Sequence, residues 1–147
     1  MKSVTFKIVE HASCDYQNAL SLREDVLRKP LGLSLTSEEQ LQEKDHIHIA
    51  GFLGEDLCAT VSLVPQEGKI KMRQVAVRAD CRSKGIASAM LQFCEDYALY
   101  HEFNEIYCYA RETVVSFYLK NNYLREGEPF IEQTILHVKM RKDTRRK

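Results

Sequence analysis

Residues Val75 to Ala89 read VAVRADCRSKGIASA. An apolar Val75-Ala76-Val77 step suited to a buried strand runs through a basic turn into a helix whose first turn is small. A helix start leaves several backbone N–H groups without partners and concentrates about half a unit of positive charge there. An anion placed at such a start is held by the backbone itself. Gly85 and Ala87 leave that backbone uncovered, and Arg82 and Lys84 add two full charges. Arg82 can fork onto a phosphate in a way that a lysine cannot. Ser83, Ile86 and Ser88 complete the loop, and Ser88 can add a hydroxyl. The stretch therefore reads as a phosphate-binding loop of the form [QR]-x-x-G-x-[GA]. Neither the G-x-x-x-x-G-K-[ST] loop of nucleotide hydrolases nor the G-x-G-x-x-G loop of dinucleotide enzymes occurs in the chain. By itself the short pattern is also compatible with a solvated basic turn.

Outward from this stretch, the pattern of elements is alternating. Val4, Phe6 and Ile8 alternate with polar residues and predict a first strand over Val4 to Val9. Apolar residues at Leu20, Leu22, Val26 and Leu27 predict a helix over Tyr16 to Arg28, stopped by Pro30 and Gly32. Thr36 and Ser37 read as caps for a short second helix. Strands are expected near 46–52, 57–64 and 69–78, with turns at 51–56 and 65–68. A third helix to about Tyr100 carries the stripe Ile86, Met90, Phe93, Cys94 and Tyr97. Then come a strand over 105–110, a fourth helix over 114–121, and strands near 124–131 and 134–140. Strands, a crossover helix and further strands indicate a mixed α/β sheet. In the strand before the loop, Ile70 and Met72 share one parity and Val75 and Val77 the other. An extra residue near Arg73 or Gln74 restores the facing, so a bulge is expected there. The alternative is a fully buried Val-Ala-Val run with no bulge.

The chain resembles the GNAT superfamily of acetyl-CoA-dependent N-acetyltransferases. Its strand, turn, Arg82 to Ala87 loop and helix are similar to the central motif of that family. Ile106 to Ala110, followed by Phe117-Tyr118-Leu119-Lys120-Asn121-Asn122-Tyr123, is similar to the second, F-Y-x-K-x-G-F. Leu22 to Leu33 and Ile135 to Met140 look like a small single-domain bacterial-type branch. The resemblance implies one acetyltransferase domain over residues 1–147. The implied fold is a mixed, mostly antiparallel twisted sheet of six to seven strands with about four helices, splayed between the fourth and fifth strands. It also implies that acetyl-CoA is the co-substrate, its pantetheine arm lying beside the bulged strand. Val75, Ala76, Val77, the 82–88 loop, Phe117 and Lys120 are the implied cofactor contacts. Backbone N–H near Val75 is the implied oxyanion donor. Tyr118 matches the tyrosine that protonates or hydrogen-bonds the departing thiolate, a task suited to a neutral phenol. The bland alternative for Tyr118, and for Phe117 beside it, is a core aromatic.

Two departures stand out. Where many family members carry a glutamate on the fourth strand, this chain has Lys71 and Arg73, so that strand offers no carboxylate base. Asn122 replaces a glycine, a mild change because asparagine tolerates the left-handed conformation that ends a helix. His137 alternates with Leu136, Val138 and Met140 and reads either as a group that orients or deprotonates the acceptor or as a half-buried strand histidine. His46 and His48 lack a third ligand at sensible spacing and read as structural, so no metal is expected. Arg23 and Arg28 face either an acceptor groove or solvent. Cys81 stands near the loop, with no histidine or acid spaced to activate it.

With 21 basic and 21 acidic side chains among 147 residues, the formal net charge is zero. No global field attracts nucleic acid or an anionic membrane, and the basic tail from Arg141 to Lys147 reads as solvated. No apolar run is long enough to span a bilayer, and MKSVTFKIVE has no signal core, so a cytoplasmic protein is expected. Five cysteines without paired spacing read as reduced thiols. Zero net charge together with Lys71 and Arg73 argues for a small amine, or an amino acid carrying a carboxylate, over a polycation. A non-catalytic acyl-CoA sensor and an interaction module remain as alternatives, and the oligomeric state, a homodimer included, stays open.

Overall fold

The computed structural model describes residues 4–11, 13–28, 43–82 and 84–145. The chain forms two compact units, Met1–Val64 with Gln74–Phe93 and Pro65–Arg73 with Cys94–Lys147.

In the first unit, β1 (Val4–Val9) pairs antiparallel with β2 (Ile47–Leu53), and β2 pairs antiparallel with β3 (Asp56–Pro65). The second pairing shifts register between Gly51 and Phe52. The end of β4 (Lys69–Val77) follows, and just beyond it the Arg78 N–H donates to the Cys58 carbonyl at 2.8 Å. Ile49, Ala50, Ala59, Val61 and Leu63 have no more than 1% of their surface exposed, so β2 and β3 read as near-continuous buried runs. Helix α1 (Cys14–Arg23) packs Tyr16 and Leu20 against Val9 and Ala50. It starts two residues earlier than its apolar spacing suggests because Ser13 caps it, its Oγ accepting from the Tyr16 N–H at 3.1 Å. It passes into a π-helical turn over Glu24–Arg28. Pro30, Gly32 and the second helix expected after Thr36 lie outside the described residues.

In the second unit, the start of β4 pairs parallel with β5 (Glu105–Arg111), β5 antiparallel with β7 (Ile135–Asp143), and β7 antiparallel with β6 (Leu124–Glu132). Ile70, Met72, Ile106, Cys108, Val138 and Met140 supply its buried face. β6 is an almost wholly exposed edge, interrupted by a register shift between Glu126 and Phe130 where Gly127 (φ 78°) and Pro129 stand. β7 starts one residue later than expected, since Gln133 and Thr134 form a left-handed turn (φ 50° and 65°), and it runs on to Asp143.

Strand order is β1-β2-β3-β4-β5-β7-β6, mixed and mostly antiparallel. The parallel ladder of β4 with β5 stops at Met72↔Cys108. Two residues later Gln74 has φ 59°, a left-handed conformation for a non-glycine residue inside a strand, at the place where the sequence predicts an irregularity. The burial that follows differs from expectation: Ala76 is buried, while Val75 and Val77 are half-buried. Helix α2 (Ile86–Tyr100) buries Ile86, Met90, Leu91, Cys94 and Ala98. Phe93 and Tyr97 are only half-buried, so the buried stripe is rotated toward Leu91 and Ala98. Helix α3 (Val115–Lys120) is the third and last α-helix among the described residues. No helix among them is long and apolar enough to cross a membrane.

Candidate functional site

The loop that leaves β4 is pinned by arginines. Arg78 Nε donates to Asp80 Oδ1 at 2.6 Å, and its Nη1 donates to the Leu57 carbonyl at 3.2 Å. A single 3-10 turn over Ala79–Cys81 buries the Cys81 side chain, whose Sγ–H is directed at Asp80 Oδ1. Arg82, exposed, folds back so that Nε donates to the Val77 carbonyl at 3.3 Å. Gly85 has φ 77°, and a Cβ built on it meets nothing within 4 Å. Backbone conformation alone therefore selects glycine here. The Gly85 carbonyl accepts from the Ala89 N–H at 3.0 Å and so stands as the cap of α2. The N–H groups of Ile86, Ala87 and Ser88 then fall in the first turn, where helix geometry supplies no partner. Exposed Lys84 and Arg82 flank that start. Ser83 lies outside the described residues.

A cleft of about 750 Å³ opens in the same unit. Leu22, Asp25 and Val26 line it from α1 and the π turn, Glu55 from the β2–β3 turn, Asp56 and Leu57 from the start of β3, and Arg78 and Arg82 from the loop. The sequence offered only Arg82 as a candidate here. The acidic Glu55-Asp56 pair in a strand turn was the available signal.

In the second unit Tyr118 is buried, with 4% of its surface exposed. Burial, with the Cys108 thiol beside it, holds the phenol well above its ordinary value. Burial also pushes the Cys108 thiol up to about 12, so both groups are neutral at pH 7. The helix ends in a double closure, Tyr123 N–H to the Tyr118 carbonyl at 3.0 Å and Asn122 N–H to the Leu119 carbonyl at 3.1 Å. Asn122 supplies the left-handed residue (φ 71°) this closure needs, and the Tyr118 and Tyr123 rings meet at 5.4 Å. The Tyr123 hydroxyl donates to Glu95 at 3.0 Å, which fixes the end of the helix. Phe117 is half-buried against Tyr118, and Lys120 is exposed.

His137 is buried, its Nδ1 donating to the carbonyl of Ile135 at 2.8 Å and its ring stacked 5.9 Å from Phe130. The loop residues and the 117–120 segment are thus each assembled locally, in the first and second units respectively.

The largest surprise is a buried polar network in the first unit. Arg23 Nη1 and Nη2 donate to Glu43 Oε1 and Oε2 at 2.7 and 2.8 Å, and the Tyr16 hydroxyl donates to Oε1 at 3.1 Å. Arg23, expected to face either a groove or solvent, does neither: its side chain is 4% exposed. The fork holds it because a buried guanidinium needs a carboxylate partner. Burial pushes the Glu43 carboxyl up, but the Arg23 guanidinium outweighs this and holds it below its ordinary value. His48 adds its ring, Nε2 donating to the Glu43 carbonyl at 2.8 Å and Nδ1 accepting from Ser62 at 3.1 Å. Burial lowers the imidazole from its ordinary value, so it stays neutral. Both nitrogens are engaged, and no group of three metal-ligating side chains occurs among the described residues.

A family model described as an acetyltransferase (GNAT) domain matches residues 34–144. Among solved structures, Escherichia coli ElaA has a TM-score of 0.80 at 18% identity, over 95% of this chain and 99% of that one. An acyl-CoA N-acyltransferase from Pseudomonas aeruginosa gives 0.78 at 18% identity, over 95% and 99%. A GNAT family acetyltransferase from Elizabethkingia anophelis with acetyl-CoA bound gives 0.71 at 12% identity, over 95% and 97%. At such identities the structural likeness speaks for the fold.

Proposed function

From the premise that this chain belongs to the GNAT acetyltransferase family, we propose that it acetylates a primary amine of a small acceptor, using acetyl-CoA, by direct attack within a ternary complex. The observation that carries this reading is the loop before α2. Gly85 is left-handed with open space where a side chain would stand, N–H groups of the first helical turn follow it, and exposed Arg82 and Lys84 flank it. Those groups suit a pyrophosphate. The ladder between β4 and β5 ends at Met72, which leaves the Val75 to Val77 backbone available for an amide-bearing arm. The E. anophelis relative with acetyl-CoA bound, similar in fold, agrees with this choice.

Acetyl-CoA supplies an activated acyl group. The chain's part is to bind it, to meet the developing oxyanion with the Val75 N–H, and to stabilise the departing sulfur. Tyr118 fills the last role as a hydrogen-bond donor. Burial holds its phenol above the ordinary range, so full proton transfer to a thiolate is uphill while donation of a hydrogen bond is not. Phe117 and Lys120 act as cofactor contacts, and His137 orients the acceptor from β7. β4 offers cations at Lys71 and Arg73 in place of a carboxylate base. An amine that arrives neutral, or that releases its proton to water, meets this constraint.

The test is thiol release from acetyl-CoA across a panel of amines, combined with titration calorimetry of acetyl-CoA itself. Binding with amine-dependent thiol release supports the reading. Failure to bind acetyl-CoA at millimolar concentration overturns it, and binding without turnover on any amine favours a sensor.

A further inference from the structure

The face of the second unit's sheet that carries the odd-numbered residues of β5 and β7 bears an alternation of cations and aromatic rings. Lys69 and Lys71 on β4 stand beside Tyr107 and Tyr109 on β5. The Lys71 Nζ lies 3.9 Å from the centre of the Tyr109 ring, and Lys69 lies 5.4 Å from that of Tyr107. Tyr109 meets Phe130 of β6 edge to face at 5.0 Å, and Phe130 stacks on His137.

Two cations on this face are neutralised. Lys139 pairs with Glu126 at 2.7 Å, and Arg141 pairs with Glu105 and Asp143 at 2.8 and 2.7 Å. Lys71 and Arg73 form no ion pair with any described residue, although both are half-buried. Burial pushes the Lys71 amine down from its ordinary value, Arg73 adds a like charge, and Glu132 offsets only part of this. Burying cations beside one another is unfavourable unless an anion joins them. Next to them Tyr109 keeps 38% of its surface exposed, so an aromatic wall adjoins an unneutralised cationic pair.

We propose that this surface is the acceptor subsite and that the acceptor is an amine of amino-acid size carrying a carboxylate and an aromatic body. Lys71 and Arg73 bind the carboxylate, and the Tyr109, Phe130 and His137 rings pack the body. This rests on the acetyltransferase reading above. Charge assistance makes a carboxylate bound by two cations one of the stronger recognition elements available to a small ligand, and ring stacking adds a modest term.

The experiment compares phenylalanine, phenylalaninamide and phenethylamine as acceptors for wild-type protein and for Lys71→Gln, Arg73→Gln and Lys71→Arg. Phenylalanine is expected to exceed the two carboxylate-free amines by about 10- to 100-fold in kcat/KM. The glutamine variants should narrow that ratio by raising KM for phenylalanine, and Lys71→Arg should retain most of it. A purely structural lysine would lower turnover of all three amines alike and leave the ratio unchanged. Ligand-observed NMR of phenylalanine and phenethylamine, run without acetyl-CoA, separates the two readings. Preferential phenylalanine binding that weakens in the glutamine variants supports the subsite even if acetyl transfer fails. Equal or better use of phenethylamine, a ratio unmoved by the variants, or no phenylalanine binding at 10 mM (about a ten-thousandth of the affinity of a micromolar ligand) overturns it.

Discussion

Glu43→Gln tests the buried network in the first unit. The substitution keeps the shape of the side chain but removes a charge that receives two hydrogen bonds from Arg23 and one from Tyr16. Both partners of the ion pair are nearly enclosed, with side-chain exposures of 4% and 6%. Arg23 Nε already lacks a partner among the described residues, so the guanidinium has no second anion to fall back on. Removing one member of a buried pair leaves an uncompensated charge, at a cost of about 3 to 5 kcal/mol. Glutamine can still accept one of the bonds, which places the expected loss near the lower end, about 3 kcal/mol. For a chain of 147 residues that corresponds to a fall in Tm of roughly 10 °C. The assay is thermal and urea unfolding followed by circular dichroism. A pH series supplies a second readout. Because the folded Glu43 carboxyl lies below its ordinary value of 4.5, its stabilisation is complete above that pH and fades as pH falls through the lower folded value. Wild type should therefore lose stability relative to Glu43→Gln on acidification below about 4.5. The double variant Arg23→Met with Glu43→Leu should recover much of the loss, since it buries no charge. A Glu43→Gln loss under 1 kcal/mol with an unchanged acid profile would refute the assignment of a desolvated pair.

In the anion loop, Gly85→Glu should abolish acetyl-CoA binding by placing a carboxylate where the pyrophosphate belongs, and Arg82→Ala should weaken it by about 1.5 to 3 kcal/mol, both read by titration calorimetry. Tyr118→Phe keeps the ring packed against Tyr123 while deleting the hydroxyl; kcat should fall roughly 10²-fold or more with KM for acetyl-CoA nearly constant, and wild-type turnover in single-turnover kinetics would leave Tyr118 as packing only. Of the five free cysteines only Cys14 is exposed, and burial raises the thiols of Cys58, Cys94 and Cys108, so one thiol per chain should react quickly with Ellman's reagent at pH 8 and the others only on unfolding.

Among the described residues the sequence alone determined the strands, the α-helices and their order, because strand alternation, the helical stripe and turn residues act over a few neighbours. It placed β1 at Val4–Val9, set the irregularity of β4 at Arg73 or Gln74, and identified the loop before α2 and the Tyr118 helix, since each motif is contiguous in the chain. Tertiary structure alone decided how fully each helical or strand position is buried. The local pattern favoured Phe93 and Tyr97, whereas packing buried Leu91 and Ala98. It also decided the pairings between residues far apart in sequence. Arg23 meets Glu43 across twenty residues, and Lys71 meets Tyr109 across a parallel ladder. Such contacts depend on which strands become neighbours and in what register, and a charged residue read from sequence carries no mark of whether its partner will be water, a carboxylate or an aromatic face.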